Sequence, residues 1–367
     1  MFGSVFLIVI TLVHLYSFWR LAYTPLVVRF IPRAILLSAG VALWLTFILA
    51  RSWAHHGQGP LAAVIESIGM NWAAVLFLIF SCLLVADVVT GFGFLWPKRA
   101  ALIRNAAVVA GLGMAAIGFI QGMRAPVVET YEVRLPGLPS NLDGKTIVAL
   151  SDLHLGAQIG AGWLAERVAQ VQALKPDMII LLGDVFDEHG TADPEWLKLL
   201  KGLSAPLGKW AVLGNHEYYG AQALGERPLI EAGFQVLRDR SVDIGPGLIL
   251  TGMDDISLQT RFGGIWEKKI KPALRNRPPG PNILLSHTPL EPELLVKAGV
   301  NLMLSGHTHG GQIWPLGYIS RLRYPFLAGR YEVGGMTVIV SRGAGTWGPR
   351  MRLWKPGDIV RVILRAE

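Results

Sequence analysis

The chain has 367 residues, 52% hydrophobic and only 16% charged, with a mean hydropathy of +0.43. Soluble domains carry about a quarter charged residues, so a plain soluble enzyme is excluded. The net charge of +8 would suit a polyanion, but residues 1–124 hold +6 of it and the other 243 residues only +2. The basic excess therefore sits among apolar runs, a membrane pattern, and no nucleic-acid partner is expected.

Four apolar stretches, at about 2–22, 34–50, 70–96 and 101–123, predict four transmembrane helices. Each is near the ~20 residues needed to span a bilayer core of about 30 Å. Nothing basic precedes the first stretch and no small-residue cleavage site closely follows it, so it reads as a retained helix. Residues 1–124 form the predicted membrane region, and residues 125–367 a second domain.

Arg20, Arg29 and Arg33 fall in the first connection, and Lys98, Arg99 and Arg104 about the third. Arg51 alone marks the second, and Arg124 follows the last stretch. Positive connections stay in the cytoplasm. This predicts a multi-pass inner-membrane protein whose second domain is extracytoplasmic, on the periplasmic side. Trp19, Trp53, Trp72 and Trp96 fall near predicted helix ends, where interfacial aromatics collect. Asp87 is the acid inside a predicted span, and pairing with Arg104 or a neighbouring helix is expected. The single cysteine, Cys82, lies in an apolar run, which excludes a disulfide framework and a thiolate metal site.

Beyond residue 125 short apolar runs alternate with amphipathic ones: KTIVALS, GWLAERVAQVQAL, DMIILLG, WLKLLKGL, KWAVLG. Later runs (NILLSH, NLMLSGH, MTVIVSRG, IVRVILR) extend the strand set. This alternation predicts one α/β domain with buried strands. Polar residues stand where the strands stop: Asp152 and His154, Asp184, then Asn215, His216 and Glu217, then His287, and last His307 and His309. Side chains at strand ends converge on one rim of such a sheet. If the backbone stays extended, Asp152/His154 and His307/His309 each point one way and grip one site. Carboxylate, imidazole and amide without thiolate suit Mn, Fe or Zn. The ligands exceed what one ion takes, so two divalent metal ions sharing a carboxylate are expected, the arrangement that clamps attacking and leaving oxygens in phosphoesterases.

The ordered blocks D-x-H, G-D-x-x-D, G-N-H-E, a lone His, and G-H-T-H resemble the calcineurin-like metallophosphoesterase superfamily. G-H-T-H-G-G-Q with a later S-R-G-x-G resembles its YkuE-type bacterial members. The membrane arrangement is similar to transmembrane proteins with a metallophosphoesterase domain. The resemblance implies a four-layer α/β/β/α sandwich behind the membrane helices, and a metal-dependent phosphoric ester hydrolase. It implies that Asp152, His154 and His309 bind the first metal, that Asp184 bridges, and that Asn215, His287 and His307 bind the second. His216 is then the catalytic residue, facing the scissile phosphate and protonating the leaving oxygen. Asp187 and Glu217 are expected to orient ligands. His14, His55, His56 and His189 belong to no block and read as ordinary polar residues, and Asp254 and Asp255 are left unassigned.

Two aromatic and basic stretches, 314–331 and 346–355, follow the metal blocks. Arginines suit phosphate contacts, and Trp and Tyr suit a membrane interface. Arg321, Arg323 and Arg330 are therefore candidate substrate-binding residues. The expected partners are membrane lipids and a phosphorylated lipid or lipid-linked substrate, and no obligate protein partner is indicated. One alternative resembles the UDP-2,3-diacylglucosamine pyrophosphatases of lipid A synthesis, which requires a cytoplasmic domain. Another is a membrane sensor or scaffold with a structural metal site.

Overall fold

The computed structural model describes residues 2–54, 59–187, 192–218, 224–245, 247–255, 257, 272–275, 277–289 and 291–367. His55, His56 and His189 lie outside the described residues. The chain divides into two compact units: residues 1–123 with 348–354, and residues 124–347 with 355–367.

The first unit contains α1 (Phe2–Ala22), the short α2 (Pro25–Phe30), α3 (Arg33–Ser52), α4 (Pro60–Thr90) and α5 (Pro97–Met123). Four helices among the described residues, α1, α3, α4 and α5, are long and apolar enough to cross a membrane. Helix α4 starts ten residues before the predicted 70 and stops before 96. Pro60 at its first turn needs no N–H partner, so the helix begins there despite the polar Glu66. Gly91, in the left-handed region at φ +55°, ends it. Trp72 consequently lies inside a helix, its ring 6.2 Å from His14, rather than at a helix end. Trp19, Trp53 and Trp96 are about half exposed.

His14 is buried, with Nε2 3.0 Å from the Gly40 carbonyl. Asp87 is fully buried and held by three side chains: Arg104 Nε at 2.9 Å, Arg20 Nε at 2.5 Å, and the Tyr16 hydroxyl, which donates at 2.5 Å. One carboxylate thus ties α1, α4 and α5 together. Residues 348–354, which the sequence groups with the second domain, pack on these helices. Arg352 N–H donates to the Gly118 carbonyl at 2.9 Å and Arg350 N–H to Asn71 Oδ1 at 2.9 Å.

The second unit holds two six-stranded sheets. In chain order the strands are β1 (Val127–Leu135), β2 (Thr146–Leu150), β3 (Met178–Leu182), β4 (Lys209–Val212), β5 (Gln235–Val236), β6 (Arg240–Asp243), β7 (Ile249–Gly252), β8 (Asn282–Leu285), β9 (Leu302–Ser305), β10 (Gly329–Val333), β11 (Met336–Val340) and β12 (Asp358–Ala366). One sheet has the order β1-β12-β2-β3-β4-β5 and the other β10-β11-β9-β8-β7-β6. Within them β2 to β5 run parallel, as do β7, β8, β9 and β11.

Strands buried on both faces must be apolar at every position, and period-two alternation sorts their side chains between two layers. Ile147, Ala149, Ile180 and Leu182 meet Leu250, Ile283, Leu285 and Leu304 of the other sheet. Val148, Leu150, Ile179 and Leu181 face outward onto Leu164 and Val171 of α6 (Ala161–Ala173) and Trp196 and Leu200 of α7 (Pro194–Lys201). The far face of the second sheet packs Leu284, Met303 and Val338 against Leu295. The result is a four-layer α/β/β/α sandwich, whose strands β2, β3, β4, β8 and β9 end on one rim.

Candidate metal centre

Every candidate ligand stands just past one of those strand ends. Asp152 and His154 follow β2, Asp184 follows β3, Asn215 and His216 follow β4, His287 follows β8, and His307 and His309 follow β9. All are buried except His307, which is partly exposed. The turns that carry them are not extended. Backbone φ is +53° at Asp152, +47° at His154, +50° at Asp184, +70° at His307 and +50° at His309. Non-glycine residues in the left-handed region are uncommon and gather at functional sites.

This corrects the expectation that an extended backbone would aim His307 and His309 at one site. The chain turns sharply after Gly306, where Thr308 N–H donates back to the Gly306 carbonyl at 2.8 Å, and the two imidazoles diverge into different clusters. Glycine is required at these turns for space. A Cβ on Gly214 would collide with the Asp184 carboxylate, and one on Gly306 with the Ser151 hydroxyl.

The first cluster is Asp152, His154 and His309: the two imidazole Nε2 atoms lie 3.1 Å apart, and His309 Nε2 is 3.3 Å from Asp152 Oδ1. The second is Asp184, His287 and His307: His287 Nε2 is 3.1 Å from Asp184 Oδ2 and 3.2 Å from His307 Nδ1. A third grouping of His154, Asp184 and His216 joins them. Within each group the ligand atoms lie within 4.8 Å of one another.

These residues fit a pair of divalent cations. Imidazole nitrogens face each other and a carboxylate oxygen at close range, an arrangement that costs free energy unless a shared cation or proton lies among them. The Asn215 side-chain oxygen is buried and has no hydrogen-bond partner in the protein. The donor set is entirely nitrogen and oxygen, the set that Mn, Fe and Zn accept.

Three of the ligand rings are held by the other nitrogen. His154 Nδ1 lies 3.0 Å from Asp187 Oδ1, His287 Nδ1–H donates to the Leu182 carbonyl at 2.7 Å, and His307 Nε2 lies 2.8 Å from the Tyr324 hydroxyl. Such contacts fix tautomer and orientation. Asp187 also approaches His216 Nδ1 at 3.5 Å, so it aligns two imidazoles. Glu217 acts on the main chain of the ligand turns. Its carboxylate accepts N–H groups of Gly214 (2.7 Å), Asp184 (2.9 Å), Val185 (2.7 Å) and Phe186 (3.3 Å), joining the turns after β3 and β4.

Burial opposes ionisation of Asp184, but His287, His216 and His154 outweigh it and hold its carboxyl well below the ordinary value. Asp187 behaves likewise: burial is overcome by His154 and His216, and its carboxyl is held low. For Glu217 burial and the neighbouring Asp184 charge prevail, and its pKa is raised despite the N–H donors.

Other residues about the candidate site have contacts that no motif specified. Tyr324 sits in an aromatic run without a motif of its own. Trp347, about half exposed, has its ring 6.3 Å from His216 at 80°. Ala344 and Gly345 of S-R-G-A-G brace the first ligand turn, their N–H groups donating to the Ser151 and Asp152 carbonyls at 2.9 Å. Asp255, fully buried, accepts from the Thr288 hydroxyl at 2.8 Å beside His287, while Asp254 pairs with Arg238 at 2.9 Å. Arg321 and Arg323 are exposed. The Arg330 guanidinium is engaged by Glu332 at 2.8 Å and the Glu132 carbonyl at 2.7 Å, which commits it to the surface of β10.

A four-layer α/β/β/α domain with two adjoining nitrogen–oxygen clusters at its strand ends has the architecture of a dinuclear metallohydrolase. The model of the family described as calcineurin-like phosphoesterase matches residues 145–311. The chain is 30% identical to a metallophosphoesterase of Helicobacter pylori, an alignment covering 98% of this chain and 97% of that one. It is 34% identical to the bovine transmembrane protein with metallophosphoesterase domain, over 73% of this chain and 64% of the bovine protein. The chain thus spans just under two thirds of that relative's length. Among solved structures, a dimetal phosphatase from Danio rerio is similar with a TM-score of 0.42 and 14% identity, over 61% of this chain and 93% of that one. The chain belongs to the calcineurin-like phosphoesterase family.

Proposed function

We propose that the chain is a membrane-anchored, dinuclear-metal phosphoesterase that hydrolyses phosphodiester or pyrophosphate bonds of a lipid or lipid-linked substrate. The observation that carries this reading is the pair of ligand clusters on one rim, with Asp184 between them and His216 against both. Asp152, His154 and His309 would hold a first ion, Asn215, His287 and His307 a second, with Asp184 placed to serve either. Bound there, two divalent cations supply the positive charge and the in-line template that phosphoryl transfer requires.

The protein's own groups do the remaining work. His216 carries a proton toward the leaving oxygen, a role worth about 10²–10⁴-fold. Asp187, beside Nδ1 of both His154 and His216, keeps those rings aligned. Arg321 and Arg323 offer guanidinium groups to a phosphorylated head group. Arg330 is left out, because Glu332 and the Glu132 carbonyl already engage it. The lipidic character of the substrate is supported by the four long apolar helices and by exposed Trp314, Tyr318, Ile319 and Leu322 beside these arginines. Excess Lys and Arg at the helix ends flanking the first and third connections, though Arg20 and Arg104 there pair with Asp87, supports an extracytoplasmic active domain.

Full-length protein in detergent, stripped of metal and reloaded with Mn, Fe or Zn, is to be assayed on lipid phosphates and on a small chromogenic phosphodiester. Metal-dependent hydrolysis of both is expected. Replacing Arg321 and Arg323 should impair the lipidic substrates far more; equal losses on both would sink the lipid assignment. No hydrolysis with any of these metals would overturn the enzyme reading. A reporter fused after Glu367 that works only in the periplasm should be active, and activity only of a cytoplasmic reporter would reverse the orientation.

A further inference from the structure

We infer that Tyr324 is the positioning residue of the second metal site, fixing His307 as an Nδ1 ligand. This inference rests on the dinuclear reading proposed above. His307 directs Nδ1 into the second cluster, 3.2 Å from His287 Nε2, and directs Nε2 out of it, 2.8 Å from the Tyr324 hydroxyl. A neutral imidazole carries one proton. For Nδ1 to present a lone pair the proton must stand on Nε2, and a phenol oxygen at this distance accepts it. The rings also meet edge to face, centroids 5.1 Å apart at 78°, which sets the tilt of the imidazole as well as its tautomer.

The phenol is itself held in place. Tyr324 N–H donates to the Ser320 carbonyl at 2.8 Å, and its ring packs among the apolar residues under the second sheet. The Thr308 hydroxyl donates to the Leu327 carbonyl, tying this loop to the ligand turn itself. Two other ligand imidazoles answer to different partners, His154 to Asp187 and His287 to a main-chain carbonyl. His307 is the ligand among them whose outer partner is a side chain from beyond the metal blocks. It is also the least buried, so it gains most from a fixed partner.

Groups that orient a ligand are worth about 10–100-fold in metal affinity. Loss of the phenol oxygen should therefore weaken the second site and spare the first. The test is Mn(II) titration of metal-depleted full-length protein in detergent, followed by electron paramagnetic resonance. That method counts free Mn and distinguishes a spin-coupled pair from single ions. Wild type should bind two Mn per chain and show the coupled signal. Tyr324→Phe, which keeps the ring and its packing, should bind the first Mn within about twofold of wild type and the second about 10–100-fold more weakly, with the coupled signal lost at equal metal. Tyr318→Phe, the loss of an exposed phenol on the short helix Leu316–Ser320 just before Tyr324, should bind both Mn ions with wild-type affinity and keep the coupled signal.

Two wild-type affinities in Tyr324→Phe would overturn the inference. Equal weakening of both sites would do so too, by reducing the residue to a general structural role. Fewer than two Mn bound by wild type would instead strike at the dinuclear reading and take this inference with it.

Discussion

Glu217 shows how one residue can hold a candidate metal site together through the main chain alone. Its carboxylate accepts four main-chain N–H groups from the turns after β3 and β4, and those turns carry Asp184, Asn215 and His216. Glu217→Gln leaves one acceptor oxygen and sets an NH₂ group against N–H donors. The expected cost is about 1–3 kcal/mol of stability, read as a lower urea midpoint together with weaker metal retention. His216→Ala should behave in the opposite way, keeping its metal while kcat falls by about 10²–10⁴-fold. Equal rates for the metal-loaded variant and wild type would remove His216 from the catalytic role.

At the scale of elements, the strands are rigid supports and the turns hold the strain. The left-handed residues Asp152, His154, Asp184, His307 and His309 persist because hydrogen bonds overdetermine them, as where His307 N–H donates to both Asp152 oxygens at 3.1 Å. At the opposite strand ends, Asp177 fastens β3 to β2, accepting from Lys145 Nζ at 2.9 Å and from Thr146 N–H at 2.8 Å. Burial favours its neutral form, but these donors prevail and hold the carboxyl below its ordinary 3.8. A depressed folded-state pKa contributes stability above the unfolded value and loses it as pH falls through the folded one. Asp177→Asn should therefore speed hydrogen exchange in β2 and β3 at pH 7. The gap to wild type should shrink as pH drops below about 3.8, the unperturbed carboxylate value. A gap independent of pH would show that the carboxylate charge is irrelevant.

On the scale of the whole molecule, each unit has its own organising device. In the helical unit it is Asp87, shared by Arg20, Arg104 and Tyr16 across three helices. Removing one partner of a buried ion pair costs about 3–5 kcal/mol, because the remaining charge stays buried. Asp87→Asn keeps the shape and strands two guanidinium groups, so a markedly lower melting temperature in detergent is expected. An unchanged melting temperature would mean that the arginines find other partners. In the other unit the device is the pair of sheets, whose inner faces fill one apolar layer and whose strand ends present the ligands.

Composition and pattern were enough to read the four apolar helices, the α/β alternation and the ligand residue types, because each of these is a local property of the chain. Burial on both faces demands apolar runs, and metal chemistry demands His, Asp and Asn at strand ends. Helix limits were read less well: α4 begins at Pro60, since packing and caps rather than hydropathy decide where a helix starts and stops. Only the tertiary structure decided that His307 and His309 serve different clusters, because the left-handed turn after Gly306 reverses the alternation an extended strand would impose. It alone brought Tyr324 to His307, placed Arg330 in an ion pair, and assigned residues 348–354 to the helical unit. The +8 charge with which the composition begins is likewise resolved by position: a sequence counts charges, and folding determines which of them face one another.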